Sequence, residues 1–155
     1  MDRESGSGGG RRRQGLAWWG VLGLAALGLP RAVAHDLDLV GPGVNTALVF
    51  APVVVWIAVA VLGRLPRPAF ALLAVGAVYG LLLGVAHQVL WDQGFAGAQP
   101  ELGGNLAGVL SPAVESAAVR TAAFVSSVAA GVLVGAVSGA AAWLLVRLMP
   151  GRSRT

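Results

Sequence analysis

The chain contains no cysteine, so it has no means of forming a disulfide or a thiolate metal or redox centre. Lysine is missing too: all 11 basic residues are arginine, a compositional bias to which we attach no mechanism. Charge is scarce altogether, at 12% of the 155 residues, against roughly 25% in an average soluble domain. The two histidines and the 6% of aromatic residues leave few groups for acid–base, metal or stacking chemistry. No carboxylate falls in the middle of an apolar run, where a proton-coupled exporter would need a buried ionisable group. The net charge of +4 does not point to nucleic acid, because the arginines sit at the ends of apolar runs and in the tails.

What the chain has in quantity is apolar residues, 56% of the total, gathered into long runs. The clearest is 69–91, AFALLAVGAVYGLLLGVAHQVLW, with 23 residues, none of them Asp, Glu, Lys or Arg, and His87 as its single imidazole. At about 1.5 Å per residue it is long enough to cross a hydrocarbon core of about 30 Å. Residues 44–62 form a second such run; their β-branched side chains do not argue for a strand, since only helices and closed barrels satisfy their backbone in lipid. Pro52 removes one helical hydrogen bond near the middle of that run. A third begins at Ser111-Pro112, with Ser111 as N-cap, Pro112 in the first turn and Glu115 favoured there by the helix dipole; it extends over 112–148. Asn45 is the expected cap of the 44–62 helix.

Residues 15–34 allow two readings. Kept, they form a first span, with Arg31 snorkelling outward. Removed, they are a signal peptide, having a basic start, a short apolar core ended by Pro30 and a small-x-small site. We expect retention, with Trp18 and Trp19 as interfacial anchors. Trp91 and Trp143 also fall near span ends, whereas Trp56 lies deeper. Residues 1–14 are polar and Gly/Ser-rich and are expected to be a disordered basic tail; 149–155 are a short basic tail. The segment 92–111 is a long loop.

The expected fold is therefore all-α: a polytopic transmembrane helix bundle in the cell membrane, with four spans, or three if the first run is cleaved. Arg3, Arg11, Arg12, Arg13, Arg64, Arg67, Arg147, Arg152 and Arg154 fall on one side of it, and Arg31 and Arg120 on the other. The positive-inside rule then places both termini in the cytoplasm and 92–111 outside.

Two groups of residues stand out. Gly76, Gly80 and Gly84, and again Gly131, Gly135 and Gly139, recur every fourth residue and leave bare backbone along one face of each helix. In lipid, helices associate by close packing, and small residues at this spacing permit it. We expect the two series to meet antiparallel, with Gly80 opposite Gly135, Gly76 toward Gly139 and Gly84 toward Gly131. That register brings Gln88 level with Ser127 and Asp92 toward Arg120. The second group is polar and lies at the outer end: His35, His87 and Asp92, with Gln88, Asp36, Asp38, Glu101 and Glu115 nearby. Imidazoles with a carboxylate suit a divalent metal, and His35, His87 and Asp92 are the candidate ligands. Ser138-Gly139 superficially resembles a membrane-embedded nucleophile, but no histidine lies on its side of the bilayer to activate it.

No catalytic signature is present, so the chain is expected not to be an enzyme and to need no cofactor beyond that metal. The function that follows is an accessory or structural membrane subunit packing by its glycine-faced helices against itself or a larger complex. The alternative is a small permease, or an outer-face binding protein, for a divalent metal ion or small solute. The lipid bilayer and other membrane helices are the expected partners, and nucleic acid is not.

Overall fold

The computed structural model describes residues 15–95 and 100–149; the expected disordered tail 1–14 lies outside them, as does nearly all of the basic tail 149–155. Among the described residues every regular element is helical: α1 (Trp18–Ala26), α2 (Leu29–Asp36), α3 (Pro42–Leu62), α4 (Pro68–Val89), a single turn α5 (Trp91–Gly94), a 3₁₀ turn (Gly104–Leu106) and α6 (Pro112–Leu148). Three of these, α3, α4 and α6, are long and apolar enough to cross a membrane.

The first apolar run is not one helix. Pro30 has no N–H to give to Ala26, and its ring would strike that carbonyl, so the helix ends at Ala26 and restarts at Leu29. The turn at Leu27 and Gly28 rests on Tyr79 of α4, whose ring a Cβ at residue 28 would overlap. The break leaves the Leu24 carbonyl short of its normal partner: Gly28 N–H bonds to Ala25 instead, and Leu27 N–H reaches Leu24 at 3.2 Å. Trp56 of α3 completes it, its Nε1–H donating to the Leu24 carbonyl oxygen at 2.7 Å. The same indole packs edge-on against Tyr79, with centroids 5.7 Å apart. This explains a tryptophan deep in a span and away from the interface.

Both short connections of the first half close in the same way. At the end of α3, Leu65 N–H bonds to Ala60 and Arg64 N–H to Val61; at the end of α2, Leu39 N–H bonds to Ala34 and Asp38 N–H to His35. These are Schellman closures with Arg64 (φ 49°) and Asp38 (φ 51°) in the left-handed position usually held by glycine. The first of them sits beside Gly15 and Leu16, at the opposite end of the bundle from His87 and Asp36. Hence α1 and α2 together run the length of the bundle in the direction of α4, and α3 and α6 run against them.

The helix starts differ in part from expectation. Helix α3 begins at Pro42 with Gly41 as its cap, and Asn45 lies inside the first turns with its Oδ1 buried and unbonded. Ser111 does hold the cap position of α6, but its side chain makes no capping bond. Glu115 in the first turn of α6 accepts a hydrogen bond from Leu102 N–H at 2.7 Å and so ties the preceding loop to the helix.

The main seam lies between α4 and α6, which share the most extensive contact in the fold. The two glycine series do meet, antiparallel, but one turn away from the expected register. Gly131 lies against Gly80, and Gly76 against Gly135 and the Gly131 carbonyl. The outer members do not face glycine. Gly84 receives the ring of Phe124, and Gly139 the backbone of Ala69. The expected register maximises glycine against glycine, yet it would set Trp143 level with Leu72. The observed one seats Phe124 in the gap at Gly84 and leaves Leu72 fully buried. A ring in a glycine notch makes more dispersion contact than two bare backbones do.

Candidate functional site

The polar groups gather at one end of the bundle. Helix α2 stops with His35 and Asp36 in its last turn, and α4 carries His87 and Gln88 in its own. Because α2 and α4 run in the same direction, their last turns lie side by side. Asp36 becomes the hub: its Oδ1 lies 3.3 Å from His35 Nδ1 and its Oδ2 lies 3.5 Å from His87 Nε2. The other ring nitrogen of His87 sits 3.2 Å from Ser127 Oγ on α6. Ser127 Oγ also donates to the Ala123 carbonyl at 2.9 Å. One chain of polar contacts, Asp36–His87–Ser127, thus links three helices.

The roles follow from the tautomer. With its hydrogen on Nε2, His87 turns an N–H toward Asp36 and Nδ1 accepts from the Ser127 hydroxyl; with the hydrogen on Nδ1, the ring donates to Ser127 Oγ, whose own proton goes to the Ala123 carbonyl. An acid–histidine–serine order is also that of acyl-transfer triads, but those need free N–H donors to hold an oxyanion. Ser127 lies far inside α6, where the backbone N–H groups are engaged in the helix, and it is 6% exposed. Ser138 is buried and bonds to the Val134 carbonyl at 2.7 Å, a packing role. For the relay we expect His87→Ala and Ser127→Ala to be non-additive in thermal stability, with a coupling of about 1 kcal/mol in a double-mutant cycle. Strict additivity would mean that the contact contributes nothing.

The sequence-derived ligand set is brought together only in part. His35 and His87 both reach Asp36, not Asp92. Asp92 stands 3.9 Å from Arg120 Nη2, the one expected pairing at this end that the structure contains. Asp92 is 78% exposed, so the pair contributes only about 0–1 kcal/mol. Among the described residues no group of three His, Cys, Asp or Glu side chains is arranged to hold a metal ion. Gln88 does not meet Ser127; it donates to the Arg120 carbonyl at 3.0 Å, and His87 takes the serine instead. Residues 87 and 88 point about 100° apart around the helix, so a register change exchanges their partners. Trp91 is no interfacial anchor: it is 3% exposed, against Phe95 and beneath the Arg120 guanidinium at 4.8 Å.

The residue whose surroundings sequence reasoning did not show is Arg31. It is half-buried on α2, and its Nε is enclosed with no hydrogen-bond partner. It lines two cavities at once. One, of about 290 Å³, opens at the polar end and is walled by Asp36, His87, Trp91 and Phe95. The other, of about 160 Å³, lies deeper between α2, α3, α4 and α6 and is walled by Pro52, Trp56, Tyr79 and Val134. The available signal was an arginine one turn before His35, on the face that an amphipathic α2 turns toward its neighbours.

No protein-family model, curated protein or solved structure was found to match the chain.

Proposed function

We propose that this chain is a multi-pass protein of the cell membrane, not an enzyme, whose outer end holds a small solute, as a binding protein or permease. What supports this is a polar-mouthed cavity and an apolar one between the helices that share Arg31 as a wall. Sites of this kind, mostly apolar with a few converging polar groups, are the usual form of a small-molecule pocket. We further propose four spans. Residues 15–36, though broken at Leu27 and Gly28, supply about 30 Å of length between them and act as one crossing. The arginine distribution puts Arg64 and Arg67 in the cytoplasm and the Asp36–His87 cluster outside.

The absence of cysteine makes the test clean. A single cysteine at Ala123, in the mouth, is expected to react with a membrane-impermeant maleimide added to intact cells. One at Pro66, in the connection between α3 and α4, is expected to stay unlabelled until the cells are opened. The opposite pattern inverts the topology and removes the outer site.

An accessory-subunit role is the second reading. The glycine faces meet each other within one chain, so they are not surfaces offered to a partner. The outward face of α3, with Phe50, Val54 and Leu62 exposed, is the surface that would then pack against another protein. A stoichiometric membrane protein retained through purification in mild detergent would favour this second role.

A further inference from the structure

We propose that the ligand is a small organic anion with a ring-sized apolar body, its carboxylate on Arg31 and its body in the inner chamber. This deepens the solute-binding role proposed above and rests on it.

Arg31 carries the inference. A guanidinium stays charged and offers five N–H donors in a planar fork matched to carboxylate or phosphate. Leaving such a donor buried without an acceptor is unfavourable, more so for a charged group than for a neutral one. Yet Arg31 Nε is enclosed and unbonded. The carboxylate that lines the same cavity does not supply the acceptor. Asp36 turns one oxygen to His35 and the other to His87, at 3.3 and 3.5 Å. An anion in the mouth would meet the guanidinium where Arg31 forms part of the cavity wall, and a carboxylate can take two of its N–H groups together.

The chamber behind Arg31 sets the rest of the ligand. It measures about 160 Å³ and presents Pro52, Trp56, Tyr79, Leu83 and Val134. An apolar cavity of about 150 Å³ is enough to bind benzene in a well-studied case. The body is therefore about one ring in size, and aromatic walls suit it. A diacyl lipid tail is far too large for this space, so a free solute is the occupant we assign. An anionic lipid placing only its head at Arg31 is the competing source.

Phenylacetate is the probe. The full chain is held in nanodiscs of phosphatidylcholine, and binding is read by calorimetry and by tryptophan emission, since Trp56 walls the chamber. Phenylacetate is expected to bind at least ten-fold more tightly than 2-phenylethanol, 2-phenylethylamine or acetate. Arg31→Gln is expected to remove that preference for the acid. Val134→Phe, which fills the chamber, should weaken phenylacetate ten-fold or more. If the alcohol binds as well as the acid and Arg31→Gln changes nothing, the anion assignment is wrong while a solute site stands. Preference for the amine would make Asp36 the recognition group and likewise overturn it. If binding or emission responds only when phosphatidylglycerol is added to the nanodisc, the anion is a lipid head and the free-solute assignment fails. Silence from all four probes and from both lipids removes the solute site itself, and this inference with it.

Discussion

Gly131→Leu is expected to separate α4 from α6 and to leave the protein unable to survive purification as a monodisperse species. Even the first carbon of a side chain at this position would overlap the Gly80 backbone. Gly76 is similarly placed, facing the Gly131 carbonyl and the Gly135 backbone. What stands in the way is helix backbone, which has no rotamer to change. Overpacking typically costs about 1–3 kcal/mol where side chains can yield; here the cost belongs at or above the top of that range. Gly23→Ala in α1 is the matched control. Nothing lies within 4 Å of its added carbon, and alanine is favoured over glycine in a helix by roughly 1 kcal/mol, so stability should hold or rise. Size-exclusion profiles and thermal melts in detergent compare the two directly. The register has its own check: in an experimentally determined structure Phe124 should fill the notch at Gly84 and Gly131 should lie on Gly80. Gly80 on Gly135 would restore the register expected from sequence and refute the seam described above.

Trp56→Ala is expected to have the second largest effect. The side chain is 1% exposed and touches both the first run and α4. Truncating a buried tryptophan costs about 3–5 kcal/mol through the cavity it leaves. Here the change also strips the Leu24 carbonyl of its indole partner, at the point where Pro30 has already interrupted the helix. Trp56→Phe is the intermediate case, since it keeps a six-membered ring but loses the N–H and the rest of the indole. It should cost about 1–3 kcal/mol, less than Trp56→Ala. The readouts are the melting temperature and protease sensitivity at Leu27–Gly28, which should rise sharply in Trp56→Ala and slightly in Trp56→Phe. If both variants behave like the parent, α1 is not held by this contact.

Much at the level of elements was legible from residue order. The three long apolar helices, the start of α6 at Pro112 and the break at Pro30 each follow from a local rule about length, ring closure or capping. That the glycine faces of α4 and α6 would meet antiparallel also followed, because both series have the same spacing on helices of opposite direction. Their register did not follow. A repeat of four residues can slide by one turn and match itself almost as well, so the repeat alone does not choose. The choice is made by non-glycine neighbours, Phe124 at Gly84 and Ala69 at Gly139.

The same one-turn shift governs the candidate site. It gives Ser127 to His87 and sends Gln88 to the Arg120 carbonyl. Asp36 and Asp92 were indistinguishable as carboxylates near a span end. Only the side-by-side last turns of α2 and α4 make Asp36 the hub and leave Asp92 with Arg120. For Arg31, sequence shows the distance from a span end but not the two cavities that the side chain lines. What the sequence alone determined is the solvent this chain is built for, its helical state and which helix faces are small, since these depend on composition and on spacing within one segment. What only the tertiary structure decided is which residue of one helix meets which residue of another. That depends on interlocking side chains far apart in the chain, and it is what turns an arginine, a histidine and an aspartate into one cavity.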